Sequence, residues 1–114
     1  MNIISYQNRV DEWIKSYGVR YFDEKTNMIL LVEEVGELAR LIAREYGEQS
    51  YKSTTNGAAD MKMKIADEIC DILFVLTCLS NQMNIDLTDA IQLNFSKKTN
   101  RDSDRHESNP KLNQ

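Results

Sequence analysis

Apolar residues recur every three or four positions along two long stretches of this sequence, and this spacing limits the folds that the chain can adopt. The stretches are residues 27–46 and 60–84, and the second is almost wholly apolar from Ile69 to Leu79. A repeat of 3.6 residues is that of an α-helix with one face against a core. The spacing predicts a helix in each stretch and makes the second helix the most buried element. The apolar face of the first comprises Met28, Leu31, Val32, Val35, Leu38, Ala39 and Ile42.

Two shorter helices are predicted on either side of this pair. Residues 3–16 carry an apolar stripe, and Gly18 follows them as a stop signal. Asp86 can cap a fourth helix that runs toward Lys97. One proline and four glycines are too few turn-forming residues for a fold of many strands. The predicted fold class is therefore all-α: an antiparallel bundle of about four helices, with short loops and one long polar loop over residues 47–60.

The sequence predicts one helical domain over residues 1–105 and a flexible tail over residues 106–114, where few side chains are apolar. A net charge of −4 argues against binding to duplex nucleic acid. The N-terminal residues lack the pattern of a signal peptide, and no apolar run is long enough to cross a bilayer. We therefore expect a cytoplasmic protein with no membrane partner.

The cysteines, Cys70 and Cys78, lie eight residues apart inside the apolar run of the third predicted helix. They do not have the CxxC spacing of a redox or metal site. We expect both to be buried free thiols, as is usual in a reducing compartment.

Two pairs of acids interrupt the apolar faces of the long predicted helices. Glu34 and Glu37 in "LVEEVGELAR" are three residues apart and share one helix face, and Glu68 and Asp71 in "ADEICDIL" repeat the arrangement. If the two helices pack antiparallel, four carboxylates converge in the bundle. Such a cluster is costly unless some acids are protonated or a cation joins them. Mg²⁺ or Mn²⁺ is the natural occupant of a site made of carboxylate oxygens.

Other interpretations of these acids are weaker. A single pair at this spacing is commonly solvated surface, but two pairs set among apolar residues favour a metal. A di-iron bundle requires Glu-x-x-His on two helices, whereas the one histidine, His106, lies beyond the last predicted helix.

The acidic motifs resemble a known family. "EEVGE" at residues 33–37 and "EICD" at residues 68–71 are similar to the EExxE…ExxD signature of the MazG-like nucleotide pyrophosphohydrolases, which belong to the all-α NTP pyrophosphatase superfamily. The resemblance is to the single-domain branch and covers about residues 25–105. Thirty residues separate Glu37 from Glu68, more than is usual in the family, and the surplus falls in the predicted long loop.

The resemblance implies that Glu34, Glu37, Glu68 and Asp71 bind Mg²⁺ and take part in catalysis. The implied reaction converts a nucleoside triphosphate to its monophosphate and pyrophosphate. Glu33 would either complete the metal cluster or orient the attacking water, unless it faces solvent. Bound metal ions activate water and stabilise the leaving group, so no nucleophilic side chain is required.

Substrate contacts are also implied. The predicted phosphate ligands are Lys97, Lys98, Arg101 and Arg105, of which the resemblance favours Lys97 with Arg101; the alternative is a solvated helix end whose cations stabilise the helix dipole. Trp13, Tyr21 and Phe22 are candidates to contact the base, although core packing is the commoner role of such a tryptophan. The resemblance further implies a homodimer or homotetramer in which a second chain completes the bundle.

Two other functions remain open at this point. A related enzyme could act on dUTP and dUDP or on phosphoribosyl-ATP with the same fold and metal site. A helical interaction module could have kept the bundle without catalysis, but such a module has no reason to retain inward-facing acids. The sequence leaves the preferred base and sugar open.

Overall fold

The computed structural model describes residues 1–47 and 58–113. It contains four α-helices: α1 (Ile3–Trp13), α2 (Glu24–Tyr46), α3 (Ala58–Gln82) and α4 (Leu87–Glu107). A π-helical turn, Ile14–Gly18, continues α1. The described residues form no strand, and the all-α prediction is confirmed. Most of the predicted long loop, residues 48–57, lies outside the described residues.

A polar side chain caps the first turn of three helices. In each case a side-chain oxygen accepts a hydrogen bond from the backbone N–H three residues later, at 2.9, 2.8 and 3.3 Å for α1, α2 and α4. The caps are Asn2, Asp23 and Asp86. Such caps satisfy N–H groups that have no partner within the helix. The cap at Asp23 explains why α2 begins at Glu24, earlier than the apolar stripe predicts.

The C-terminus of α3 ends in a turn that sends the chain back toward α1. The N–H of Ile85 donates to the carbonyl of Ser80 at 2.8 Å, and the N–H of Asn84 donates to that of Asn81 at 3.2 Å. This is the Schellman pattern, and it requires a left-handed residue. Asn84 fills that position with φ 56°, which asparagine tolerates better than most residues.

One buried side chain, Gln7, fastens α1 to this turn. Its Nε2 donates to Asn81 Oδ1 at 3.1 Å and to the carbonyl of Ile85 at 2.9 Å. Its Oε1 accepts the N–H of Leu87, the first residue of α4, at 2.9 Å. A single amide therefore joins α1, the end of α3 and the start of α4.

The helices α2 and α3 form an antiparallel hairpin, and α1 packs against α3 on one side of it. The small core contains Val10 and Ile14 from α1 and its π-helical extension, and Cys78 from α3. Phe74 and Tyr21 pack around these residues. α4 contacts α1 and continues to Glu107, well beyond Lys97. The flexible tail over residues 106–114 stays a prediction.

The predicted burial of the two long helices is only partly correct. Four consecutive residues of α3, Thr77–Ser80, are buried, but Ile69 and Leu73 are 51% and 40% exposed. On α2, Val32 and Val35 are 61% and 48% exposed, so the apolar face predicted for this helix is not covered within the chain. The reason is geometric, since α1 covers one side of the hairpin and leaves the opposite side open.

The two cysteines differ from the prediction in one respect. Both are free, but Cys70 is exposed and only Cys78 is buried. Burial raises the pKa of the Cys78 thiol to about 11, so this side chain stays neutral. No helix in the described part of the chain is both long and apolar enough to span a membrane.

The connection from α1 to α2 contains a strained residue. Val19 has φ 72° and ψ −54°, and the N–H of Arg20 donates to the carbonyl of Gly18 at 2.8 Å. This is a γ-turn of the form that needs positive φ, which is unfavourable for a β-branched residue. Val19 is also 84% exposed, so packing does not compensate for the strain.

Replacing Val19 with glycine should therefore stabilise the protein. Glycine adopts positive φ without a steric penalty, although it has more freedom in the unfolded chain. We expect a net gain of about 1 kcal/mol, or a rise of a few degrees in the melting temperature measured by calorimetry. Val19→Ala is the matched control, because alanine keeps most of the penalty and should gain less. An unchanged or lower melting temperature in Val19→Gly would contradict the strain.

Candidate metal centre

Three carboxylates meet where α2 and α3 pack together. Glu34, Glu68 and Asp71 each offer one oxygen, and these oxygens lie within 4.8 Å of one another. Glu68 and Asp71 share a face of α3 because they are three residues apart, and the antiparallel packing places Glu34 opposite them. Octahedral Mg²⁺ with ligand oxygens at about 2.1 Å requires a spacing of about 3–4 Å between them. Small side-chain movements would therefore complete such a site.

Glu68 is the most perturbed acid of this cluster. Its Oε1 is buried and has no hydrogen-bond partner among the described residues. A hydrogen bond with Glu34 raises the pKa of Glu68 to about 7, and burial and the negative charges of Glu34, Asp71 and Glu37 contribute further. A buried acceptor without a donor is unfavourable, and a divalent cation would satisfy it. The donor set therefore fits a hard metal ion.

Asp71 experiences the same repulsion from a more exposed position. Burial raises its pKa, and the nearby charges of Asp67 and Glu34 raise it further. Asp67 itself is exposed, yet it adds to the negative potential of the site. Each of these acids would be stabilised in its ionised form by a cation bound between the helices.

Two predicted site residues of α2 lie outside the three-carboxylate cluster. The Glu37 carboxylate accepts a hydrogen bond from the guanidinium of Arg40, and the side chain is about half exposed. Such surface ion pairs contribute at most about 1 kcal/mol, so Glu37 can leave Arg40 for a metal at little cost. Glu33 is exposed on the neighbouring face. The roles predicted for both residues stay predictions.

The predicted phosphate ligands are all exposed on α4. They are Lys97, Lys98, Arg101 and Arg105. Arg101 donates two hydrogen bonds to Asp102, at 3.0 and 3.1 Å. The acids lie on α2 and α3, whereas these cations lie on α4, which packs mainly on α1. Their contact with substrate stays a prediction.

An aromatic cavity of about 270 Å³ lies one helical turn from the acids. Trp13 packs edge-to-face on Phe74, with ring centroids 5.6 Å apart and an interplanar angle of 89°. Phe74 follows Asp71 by three residues and Leu30 precedes Glu34 by four, so both wall residues share a helix face with an acid. The cavity is lined by Trp13, Ile14, Gly18, Arg20, Tyr21, Phe22, Asn27, Leu30, Phe74, Val75 and Cys78.

This cavity places all three aromatic residues that the sequence singled out beside one another. It also adds Phe74 and Asn27, which sequence reasoning missed. Both could have been found from helical spacing. Phe74 lies one turn from Asp71 on the same face of α3, and Asn27 lies two turns from Glu34 on the same face of α2. Trp13 is still 48% exposed, so core packing does not fully account for it.

The raised pKa of Glu68 predicts an unusual pH dependence of stability. The folded metal-free protein holds a proton on Glu68 up to about pH 7, whereas the unfolded chain loses it near the ordinary value of 4.5. Stability should therefore fall as the pH rises from about 5 to about 7 in EDTA, because the folded state binds more protons in that range. Mg²⁺ should remove this loss by stabilising the carboxylate.

The measurement is the melting temperature across this pH range, with EDTA and with Mg²⁺. Glu68→Gln should flatten the EDTA profile and abolish the Mg²⁺ effect. Glu12→Gln, at an exposed site on α1, is the matched control and should leave both unchanged. A stability in EDTA that rises with pH through this range would contradict the assignment.

Comparisons with known proteins agree with this geometry. Residues 22–106 match the MazG nucleotide pyrophosphohydrolase domain. YpjD of Bacillus subtilis strain 168 is 40% identical to this chain over 99 residues, which are 87% of this chain and 85% of YpjD.

Two crystal structures have the same fold. That of Bacillus subtilis YpjD superimposes with a TM-score of 0.74 at 35% identity, covering 85% of this chain and 94% of YpjD. That of the Bacillus-conserved MazG protein, a nucleotide pyrophosphohydrolase, superimposes with a TM-score of 0.72 at 34% identity, covering 91% of this chain and 96% of the other. The family, the fold and the acidic cluster lead to one conclusion: the chain belongs to the MazG family and is a hydrolase of nucleotide pyrophosphate bonds.

Proposed function

We propose that this protein is a Mg²⁺-dependent enzyme that converts (d)NTP to (d)NMP and pyrophosphate, and that it removes unwanted nucleotides from the cytoplasmic pool. The observation that supports this most is the cluster of Glu34, Glu68 and Asp71 with its unpartnered buried oxygen. Mn²⁺ has the same preference for oxygen ligands and could replace Mg²⁺.

The acids would have different roles in binding the metal and orienting water. Glu34, Glu68 and Asp71 would hold the metal, and Glu37 would join them by leaving Arg40. When bound, metal ions supply neutralisation of the triphosphate charge and activation of water. Glu68, whose pKa is raised to about 7 without a cation, would bind the metal in its ionised form. Glu33, exposed on the neighbouring face of α2, would orient the attacking water.

The aromatic cavity would hold the base. Its volume of about 270 Å³ is smaller than the ~300–1,000 Å³ of sites that enclose a whole ligand. It suits a single ring system, stacked on Trp13 or Phe74, with the phosphates outside at the acids. The cations Lys97 and Arg101 would then contact the phosphates, supported by Lys98 and Arg105.

A second copy of the chain would cover the open side of the α2–α3 hairpin. Leu38 on α2 and Ile72 on α3 are half-buried. On each helix, the next residue lies about 100° further around the helix axis. Because the two helices run antiparallel, the residues at these next positions lie on the same side of the hairpin. Two exposed apolar stripes lie there: Met28, Val32, Val35, Ala39 and Ile42 on α2, and Ala66, Ile69, Leu73 and Leu76 on α3.

Burying such stripes against each other is the usual basis of a four-helix interface. Exposed contiguous apolar patches on monomers are normally small, and larger ones mark interaction sites. The proposed enzyme is therefore a homodimer, or a homotetramer built from such dimers. Neither duplex nucleic acid nor a membrane is proposed as a partner.

Two alternatives differ in substrate or in class. An enzyme for dUTP and dUDP or for phosphoribosyl-ATP would use the same metal site. A helical module without catalysis is disfavoured, because the repulsion within the acidic cluster destabilises the free protein and has no benefit without a metal.

The function is tested by hydrolysis of standard and modified (d)NTPs with Mg²⁺, resolving pyrophosphate from orthophosphate. Glu37→Gln and Asp71→Asn should each lower turnover by about 100-fold or more, because each removes a ligand of the ions that stabilise the transition state. Without metal, both variants should be as stable as the wild type or more stable, since each removes a repelling charge. Asp60→Asn, on the same helix as Asp71, is the matched control and should keep full activity.

Pyrophosphate formation that is lost with EDTA and in both variants would support the proposal. Turnover at the wild-type rate in either variant would contradict the site. A folded protein that bound Mg²⁺ but hydrolysed no (d)NTP would point to another pyrophosphate substrate, and one that bound no metal would favour the helical module.

The second copy is tested by a charge on the open face. Val32→Glu should reduce the mass measured by light scattering to that of a monomer, because a buried carboxylate there would have no partner. The variant should keep its helical circular dichroism, since Val32 is exposed in the single chain. Asn8→Glu, on the exposed side of α1, should leave the mass unchanged. A wild-type mass in Val32→Glu would exclude this face.

A further inference from the structure

We propose that Asn27 selects nucleotides whose base carries an amino group on the edge opposite the sugar, namely cytosine and adenine, over their keto counterparts. This inference rests on the proposed function. It depends on three features of the aromatic cavity: its position relative to the acids, the orientation of the Asn27 amide, and the engagement of the other polar groups that line it.

The position of the cavity fixes the direction in which a base would enter. Asn27 precedes Glu34 by seven residues, which is two turns, or about 10 Å along the axis of α2. Cys78 follows Asp71 by the same interval on α3. With the phosphates at the acids, the sugar side of the base faces Glu34. The opposite edge of the base then faces Asn27, which is almost completely buried at 4% exposure.

The hydrogen bonds of Asn27 fix which end of its amide faces the base. Its Nδ2 donates to Gln82 Oε1 at 2.8 Å and to the carbonyl of Phe22 at 3.3 Å. The same carbonyl accepts Gln82 Nε2 at 2.5 Å. A backbone carbonyl can only accept, so both amides must turn their nitrogen toward Phe22. Both N–H groups of Asn27 are thus used inside the protein.

The remaining atom of the amide, Asn27 Oδ1, receives no hydrogen bond from the described residues. Its residue lines the cavity and is buried, so the oxygen is an acceptor available to whatever enters. A buried acceptor favours a ligand that brings a donor to it.

No other polar side chain that lines the cavity supplies a free oxygen acceptor, because those of Trp13 and Arg20 can only donate. The Tyr21 hydroxyl donates to Asp11 Oδ1 at 2.6 Å and accepts from Asn81 Nδ2 at 3.1 Å, so both of its functions are used elsewhere. The Cys78 thiol is buried and neutral. Arg20 is exposed, and its guanidinium donates to the carbonyl of Tyr21.

The bases differ at the edge that would meet Asn27. Cytosine and adenine present an N–H₂ donor there, whereas uracil, thymine, guanine and hypoxanthine present a carbonyl acceptor. An amino group would hydrogen-bond to Asn27 Oδ1. A carbonyl would place two buried acceptors against each other, and sites that leave such groups unpaired discriminate strongly. We expect a preference of about 10- to 100-fold in kcat/KM.

The experiment compares two substrate pairs in which a carbonyl replaces the amino group and the adjacent ring nitrogen gains a hydrogen: dCTP with dUTP, and dATP with dITP. Wild-type enzyme with Mg²⁺ should prefer the amino member of both pairs. Asn27→Leu, which keeps the approximate size and removes the acceptor, should bring both ratios close to 1. Asn8→Leu is the matched control on the exposed surface of α1 and should keep the wild-type rates and ratios.

The outcomes separate this inference from the proposed function. Hydrolysis with equal rates within both pairs, or with a preference for the keto members, would overturn the role of Asn27 and leave the proposed function intact. No hydrolysis of any of the four nucleotides would overturn the inference, and the absence of hydrolysis of every other (d)NTP tested would overturn the proposed function as well. If Asn27→Leu does not fold, the wild-type ratios alone decide, since the inference requires an amino preference in both pairs.

Discussion

The antiparallel packing of α2 on α3 is the contact on which the rest of the structure depends. It brings Glu34 against Glu68 and Asp71, so the most extensive helix contact of the fold also brings three acids together. The hydrophobic stabilisation of the fold outweighs this repulsion without removing it. The repulsion that persists contributes to the raised pKa of Glu68. A bound cation would change the sign of this contribution, so folding and metal binding are coupled in the same helix pair.

The sequence predicted the helices and the meeting of three of the four acids, because both follow from local spacing. Glu68 and Asp71 had to share a face of α3, and an antiparallel neighbour had to present Glu34 to them. Burial was predicted less well. The stripe that includes Val32 and Val35 is apolar but exposed, because spacing reveals an apolar face and not what covers it. The cavity was also missed, since its wall combines α2, α3 and the strained connection at Val19, which no periodicity describes.

The α2–α3 hairpin separates two kinds of surface. The side that carries α1 also carries the aromatic cavity, with Phe74 on the same face of α3 as Asp71. The opposite side carries the uncovered apolar stripes. The proposed chemistry and the proposed assembly therefore lie on opposite faces of the same two helices. Substitutions such as Val32→Glu can then disturb assembly without touching the residues that line the cavity.

The amide of Gln7 has a mechanical consequence. It holds α1, the turn after α3 and the first residue of α4 through three hydrogen bonds, so a displacement of α1 cannot leave the start of α4 behind. Trp13 stands at the far end of α1, beside the cavity, while Lys97 and Arg101 lie along α4. The aromatic wall and the basic helix are thus mechanically connected through the side chain of a single glutamine.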